Sequence, residues 1–181
     1  MVEEAQLELG PNGHVTRTDG WYVVNLRDAT WLTSDHMGGV GELESGAAGF
    51  TDVGIRVTTL LPGQSHGFYH RENNQEGFLV IAGECLGLIE GEERRIRAWD
   101  FFHSPPGTEH VLVGAGDGPC VILMVGARRS EFEVTYVVSE LALRHGAGLE
   151  VETNTPDEAY AGVGEERLER PPYWDQLPWG K

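Results

Sequence analysis

The sequence predicts an all-β domain, and three observations lead to this prediction. Short apolar runs follow one another along the middle of the chain at intervals of about 8–12 residues, with a turn signal between neighbouring runs. Glycine stands at many of these turns and is abundant, with 25 of the 181 residues, against a usual share of roughly 7%. Residues 53–61 alternate between apolar and other types, as a half-buried strand does. Together these features indicate a sandwich or barrel.

The predicted elements divide the chain into three parts. Residues 1–20 are expected to form an irregular N-terminal arm, residues 21–138 a barrel and residues 139–181 a C-terminal extension. Within the barrel, a Gly-rich loop is expected at 33–51, and strands are expected at 21–25, 53–61, 78–81, 85–89, 94–98, 100–104, 110–113, 121–125 and 134–138.

The extension has a different pattern from the barrel. Ser139 is a suitable N-cap for a short helix over residues 140–145, and Gly146 would end that helix. A second short helix is expected to start near Pro156, because proline is favoured in a first turn. The tail at 171–179 places aromatic residues between prolines, so we expect an irregular segment whose rings pack on the barrel or on a neighbouring subunit.

Charge and cysteine content exclude several classes of function. The chain has 13 Lys and Arg against 29 Asp and Glu, a net charge of −16, so we expect no nucleic-acid partner and no anionic membrane surface, because phosphate binding needs clustered cations. No apolar run approaches the roughly 18 residues of a membrane span, so no membrane is expected. The acidic N-terminus lacks the pattern of a signal peptide, and a cytoplasmic location is therefore expected. The two cysteines form no CxxC motif and are expected to be small core residues.

Four of the seven histidines lie in two segments bounded by Pro and Gly turns. In the first segment, His70 and Glu72 are two residues apart, so on a strand both side chains would share one face. Glu76 follows a polar turn and starts the next strand. In the second segment, His110 starts a strand just after the rigid turn at 105–107. Three metal-capable side chains therefore converge within seven residues, and a fourth follows later.

The two segments resemble the two cupin motifs. The first motif is Gly, five residues, His-x-His, three or four residues, Glu, six residues and Gly; here His70, Glu72, Glu76 and Gly83 take the His, His, Glu and final Gly positions. The second motif contains Pro-x-Gly, two residues and His, which residues 105–110 match in full. The resemblance is strongest over residues 53–125. It implies a single cupin double-stranded β-helix, or jelly-roll barrel, here with an N-terminal arm, short C-terminal helices and an irregular aromatic tail.

This sequence departs from the motifs at several positions. Glu72 replaces the second histidine, and six residues rather than five separate Gly63 from His70. Trp99 stands where the second motif begins with Gly, and Gly114 replaces its final Asn.

The resemblance also implies a divalent metal ion, for which Fe, Mn, Ni and Zn are all suitable. Carried over position by position, the implied metal ligands are His70, Glu72, Glu76 and His110. Two alternatives stay open: Glu72 could be solvated rather than bound, or His66 could join His70 in a different register. His66, Phe68 and His103 are further candidates for contact with a substrate or with the ligands.

Two classes of function follow from this resemblance. The first is a metal-dependent enzyme of oxygenase, lyase or isomerase type that acts on a small polar molecule in the barrel. The second is a non-catalytic module that binds or senses a small ligand, with or without metal. The family also implies a homodimer.

Overall fold

The computed structural model describes residues 1–44 and 46–180. In these residues, strands form a short hairpin and two larger antiparallel sheets, and the helices are short. The strands are β1 (Leu7–Gly10), β2 (Gly13–Thr16), β3 (Thr30–Ser34), β4 (Gly38–Glu42), β5 (Val53–Leu60), β6 (His70–Glu72), β7 (Glu76–Ala82), β8 (Glu84–Ile89), β9 (Glu92–Arg97), β10 (Phe101–Ser104), β11 (His110–Ala115), β12 (Cys120–Ala127) and β13 (Val134–Tyr136). The helices are α1 (Glu140–Arg144) and α2 (Pro156–Ala159).

The two larger sheets form the barrel. One has the strand order β10-β7-β12-β5-β4-β3, and the other has the order β13-β6-β11-β8-β9. The all-β prediction and the jelly-roll barrel are confirmed, and the strands predicted from residue 53 onward are found within a few residues of their expected bounds.

The prediction was wrong at the N-terminal side of the barrel. Residues 21–25 form no strand, and only Trp21 makes an isolated bridge, to Glu4. The expected loop at 33–51 contains β4, which pairs with β3 and β5. The expected irregular arm contains the β1–β2 hairpin. These segments owe their structure to pairing partners distant in sequence, which local composition does not reveal.

Strand alternation sorts side chains to the inside or the outside of the barrel. The inside holds a fully apolar cluster that includes Leu60 of β5, Val80 of β7 and Leu112 of β11. Both cysteines belong to this cluster and are free and fully buried, as predicted. On the outside of the five-stranded sheet, alternate residues of β11 pack against Leu141 of α1. Ser139 caps that helix through its hydroxyl, which accepts a hydrogen bond from the Ala142 backbone N–H at 3.2 Å.

The C-terminal tail packs on the outside of the six-stranded sheet. The Tyr173 hydroxyl donates to the Thr59 carbonyl oxygen at 2.9 Å, and Trp174 and Trp179 contact the buried ring of Trp31 with centroid distances of 5.3 and 5.7 Å. The tail is irregular except for one 3-10 turn at Trp174–Gln176. The aromatic rings therefore cover the barrel. Among the described residues, no helix has the length and apolarity required to cross a membrane.

Candidate metal site

Three buried or half-buried side chains meet where three strands begin. His70 is the first residue of β6, Glu76 the first of β7 and His110 the first of β11. His70 and His110 are register partners in the five-stranded sheet. Each of the three offers one ligand atom, and these atoms all lie within 4.8 Å of one another.

Backbone carbonyl groups orient the two imidazole rings. His70 Nδ1 lies 2.8 Å from the Phe68 carbonyl oxygen, and His110 Nδ1 lies 3.1 Å from the Thr108 carbonyl oxygen. A carbonyl oxygen only accepts hydrogen bonds, so each Nδ1 carries the proton and each Nε2 keeps its lone pair. This arrangement is typical of metal-bound histidines.

The fit to a metal ion can be tested on buried polar atoms that have no hydrogen-bond partner. His110 Nε2 and Glu76 Oε2 are both buried and unsatisfied among the described residues. They face each other at 3.2 Å, a distance at which a proton or a metal ion between them would pair both. Buried polar atoms without partners are rare and costly, and a cation between these atoms would satisfy both. The donor set of two imidazoles and a carboxylate suits a divalent transition metal.

The electrostatics of the site also suit a cation. Burial, together with the nearby His110, lowers the pKa of His70 to about 4, so the ring is neutral at pH 7 and able to bind a metal. Burial alone would raise the pKa of Glu76, but His110, His70 and Arg56 outweigh it, and the net shift is downward. The carboxylate is therefore ionised at neutral pH.

Glu72 lies near this group but outside it. It lines the same cavity as Glu76, yet it is absent from the set of atoms within 4.8 Å. Burial, and secondly repulsion by Glu76, raises its pKa to about 7. The structure therefore brings three of the four predicted ligands together and leaves Glu72 on the adjacent wall.

His66 stacks beside the site without joining it. Its ring centroid lies 6.2 Å from those of both His70 and His110. The Leu112 backbone N–H donates to His66 Nδ1 at 3.0 Å, a shorter contact than the 3.4 Å between Nδ1 and the Leu112 carbonyl oxygen. The proton of the neutral ring is therefore on Nε2. This geometry favours the register that uses His70 with Glu76 over the one that pairs His66 with His70.

The two other candidates have different surroundings. Phe68 is buried against His36 and Tyr160, and its carbonyl oxygen orients His70. His103 is exposed on β10, where alternation turns it to the opposite face from Ser104, whose hydroxyl lies 3.4 Å from His110 Nδ1. The structure thus does not bring His103 to the site, because its place in the strand directs it outward.

Sequence reasoning missed Arg56. In β5 this residue shares the inward face with Thr58 and Leu60, and it lines both cavities described below. The predicted strand at 53–61 already indicated it, because Arg56 shares a strand face with Thr58 and Leu60.

Two cavities open at this end of the barrel. The larger has a volume of about 490 Å³ and is lined by Glu72, Asn74, Glu76 and Arg56 among others. The second, of about 380 Å³, lies between Arg56, His66 and residues 160–166 of the extension. The candidate metal group therefore borders a space large enough for a small molecule.

Trp99, the residue that replaces a motif glycine, has a φ of 76°. This left-handed conformation is one that glycine adopts readily and that a bulky residue rarely does. Trp99 therefore adopts a backbone conformation that a glycine would adopt more readily.

The model of the cupin domain family matches residues 56–126. No match was found among curated proteins. A sugar phosphate isomerase of the cupin superfamily from Silicibacter pomeroyi is 19% identical over 62% of this chain and 80% of that chain, with a TM-score of 0.56. A predicted oxalate decarboxylase from Thermotoga maritima is 21% identical over 60% of this chain and 100% of that chain, with a TM-score of 0.50.

A protein from Acidithiobacillus ferrooxidans, provisionally named a sugar phosphate isomerase, is 24% identical over 46% of this chain, with a TM-score of 0.45. The alignment spans 55% of that protein, about half its length. At these identities the solved structures establish the fold and nothing further.

Proposed function

We propose that this chain, which is similar to the cupin domain family over residues 56–126, binds a divalent metal ion and acts as a metal-dependent enzyme on a small polar molecule. The observation that carries the proposal is the pair of buried, unsatisfied atoms His110 Nε2 and Glu76 Oε2 beside His70. Burial of such atoms costs stability unless a cation lies between them, and this supports the metal site.

His70 and His110 would hold the metal through Nε2, and Glu76 through its carboxylate. Glu72 is the fourth predicted ligand and stays a candidate, since it lines the same cavity. When bound, an Fe, Mn, Ni or Zn ion would act as a Lewis acid on an oxygen atom of the substrate. The chain itself would orient the substrate between Arg56 and Glu72 and, through His66 and Phe68, exclude water from the inner wall.

The reaction is proposed only as a class. The names of the similar proteins refer to an isomerase and a decarboxylase, and one fold supports many chemistries. Oxygenase, lyase and isomerase reactions all remain candidates. The alternative function is a non-catalytic module that binds or senses a small ligand.

Elemental analysis of the purified, untagged protein tests the metal. We expect near-stoichiometric Fe, Mn, Ni or Zn in the wild type and its loss in the His70→Ala/His110→Ala double variant. Glu76→Gln should lower metal affinity by at least about tenfold, the lower end of what loss of a supporting group costs. Glu72→Gln is the matched variant. An equally large loss of metal affinity would show that Glu72 is a metal ligand, and a small loss would show that it is not.

Circular dichroism must show that each variant is folded. A wild type without metal that takes up none of the four ions on reconstitution would refute the metalloenzyme proposal. Metal binding without turnover of any substrate class would instead favour the binding module.

The homodimer and the cytoplasmic location stay proposals. Strand β10 is an edge of the six-stranded sheet, and Trp99 and Phe101 beside and within it are 76% and 65% exposed. Large exposed aromatic side chains and an unpaired sheet edge favour association. Light scattering coupled to size exclusion would give the mass, and a monomer at all concentrations would refute the dimer.

A further inference from the structure

We infer that Arg56 forms a carboxylate-binding subsite beside the candidate metal group, and that the molecule bound in the barrel is a small hydroxycarboxylate. This inference rests on the proposed function, because it names the substrate class of that same site. Arg56 lines both cavities at this end of the barrel, and its guanidinium group makes no hydrogen bond and no close ion pair among the described residues.

Arg56 lies at the open end of the barrel interior. Its register partners are Met124 in β12 and Glu42 in β4, and its inward neighbour along β5 is Thr58. It lines the 490 Å³ cavity together with Glu76, and it also lines the 380 Å³ cavity together with His66. The guanidinium group therefore belongs to the wall that the two cavities share, on the same side as the metal group.

Arg56 is exposed to the cavity and, in the described part of the chain, makes no hydrogen bond and no ion pair within 4.0 Å, although its charge acts on Glu42 and Glu76. Arg128, on the same cavity, differs in this respect, since it pairs with Glu44 at 2.9 Å and donates to the Phe50 carbonyl oxygen. Arg129 also lines the larger cavity without an ion pair, but it lies beyond the end of β12 and does not reach the second cavity. Among the described arginines that line the larger cavity, Arg56 is thus the one that also lines the second cavity.

The surroundings of Arg56 favour a singly charged anion over a doubly charged one. The charged residues that line the larger cavity are four glutamates and three arginines, so the lining has no excess of positive charge to favour a phosphate dianion over a carboxylate. A guanidinium group presents a planar fork of N–H donors that matches the two oxygens of a carboxylate. One free arginine therefore suits one carboxylate group.

A second observation indicates a hydroxyl group on the same molecule. Asn74 lines the larger cavity and is only 5% exposed, and its Oδ1 atom has no hydrogen-bond partner among the described residues. A buried amide oxygen without a partner is costly, and a ligand hydroxyl could donate to it. The volume of about 490 Å³ is near the lower end for small-molecule pockets, which fits a molecule of a few carbon atoms.

The test compares carboxylates with neutral counterparts of the same size by calorimetric titration. The probes are glycolate against ethylene glycol, gluconate against sorbitol, and inorganic phosphate. The proteins are the metal-loaded wild type, Arg56→Gln and the control Arg94→Gln, which removes an exposed arginine of β9 that pairs with Glu92. Free metal is removed by desalting, and metal content is measured in each sample.

We expect at least one carboxylate to bind the wild type about tenfold or more tightly than its neutral counterpart, the scale of a charge-assisted hydrogen bond. Arg56→Gln should lose this preference while retaining its metal, and Arg94→Gln should keep it. A preference that survives Arg56→Gln, no preference in the wild type, or binding of phosphate alone would overturn the inference.

The two proposals fail in different ways. If the wild type holds no metal and takes up none on reconstitution, the proposed function is wrong, and the same titrations on the metal-free protein still decide whether Arg56 binds a carboxylate. If metal is present and the Arg56→Gln variant binds carboxylates as the wild type does, only the substrate inference fails.

Discussion

The two ends of the barrel interior differ in chemistry although the same strands line both. Along each strand the inward side chain changes from polar to aliphatic, from Arg56 to Leu60 in β5, from Glu76 to Val80 in β7 and from His110 to Leu112 in β11. Strand alternation decides only which side chains point inward. Position along the strand decides whether an inward residue belongs to the core or to the site.

This difference suggests a division of roles between the ends. At the aliphatic end, Leu60, Val80 and Leu112 are fully buried and pack together, which stabilises the fold. At the polar end, buried atoms of Glu76 and His110 face each other and have no other hydrogen-bond partner among the described residues, which costs stability unless a cation lies between them. Changes in side-chain volume at the aliphatic end should therefore alter the free energy of unfolding, and added metal should alter it through the polar end.

The largest expected effect lies at the aliphatic end. Leu60→Ala should lower the free energy of unfolding by about 2–5 kcal/mol, because it removes buried methyl groups and leaves a cavity. Urea denaturation of the metal-free protein measures it. The control is Leu9→Ala, a leucine that is 70% exposed, which should change stability by less than about 0.5 kcal/mol. Equal effects of the two variants would contradict the assignment of the core.

An intermediate effect is expected at the polar end when metal is added. A metal at about 100 times its dissociation constant should stabilise the wild type by about 2.7 kcal/mol. Glu76→Gln should lose most of this gain, measured by denaturation with and without the metal identified by elemental analysis. Glu93→Gln is the control, since Glu93 contacts a half-buried histidine, His145, away from the candidate site. A similar loss of metal-induced stabilisation in this variant would indicate adventitious metal binding.

The strands from residue 53 onward were predictable because each carries its own alternation and is bounded by its own turn. Strand β4 was not predictable, because two of its glycines pack closely against other segments of the chain. A Cβ at Gly39 would lie 2.6 Å from the Pro171 ring, and one at Gly41 would lie 2.8 Å from the Trp31 ring. The Gly-rich composition that predicted a loop therefore reflects close packing by the tail and by β3.

The candidate site was predictable in part for a similar reason. His70, Glu76 and His110 lie within two short motifs, so their spacing in the sequence was sufficient to predict them as metal ligands. The position of Glu72 on the adjacent wall depends on how β6 pairs with β13, and the exposure of His103 depends on the face that β10 turns to the core. Both are properties of strand pairing that motif spacing does not contain.

The smallest effect is expected at the boundary between the two ends, at Thr58. This residue is 1% exposed, and its hydroxyl donates to the Met124 sulfur at 3.3 Å. Sulfur is a weak acceptor, so Thr58→Val should lose little and change the free energy of unfolding by less than about 0.5 kcal/mol.

The neighbouring Thr59→Val is the matched control, because it removes the same hydroxyl from the outer face of β5. The Thr59 hydroxyl lies 3.0 Å from the Tyr173 hydroxyl and donates to the Gly39 carbonyl oxygen at 3.3 Å. Its loss should cost about 1 kcal/mol, as for a typical buried hydrogen bond, measured by the same urea titration. If Thr58→Val were as destabilising as Thr59→Val, the polar end would extend deeper into the barrel than Arg56, and the boundary would lie nearer Leu60.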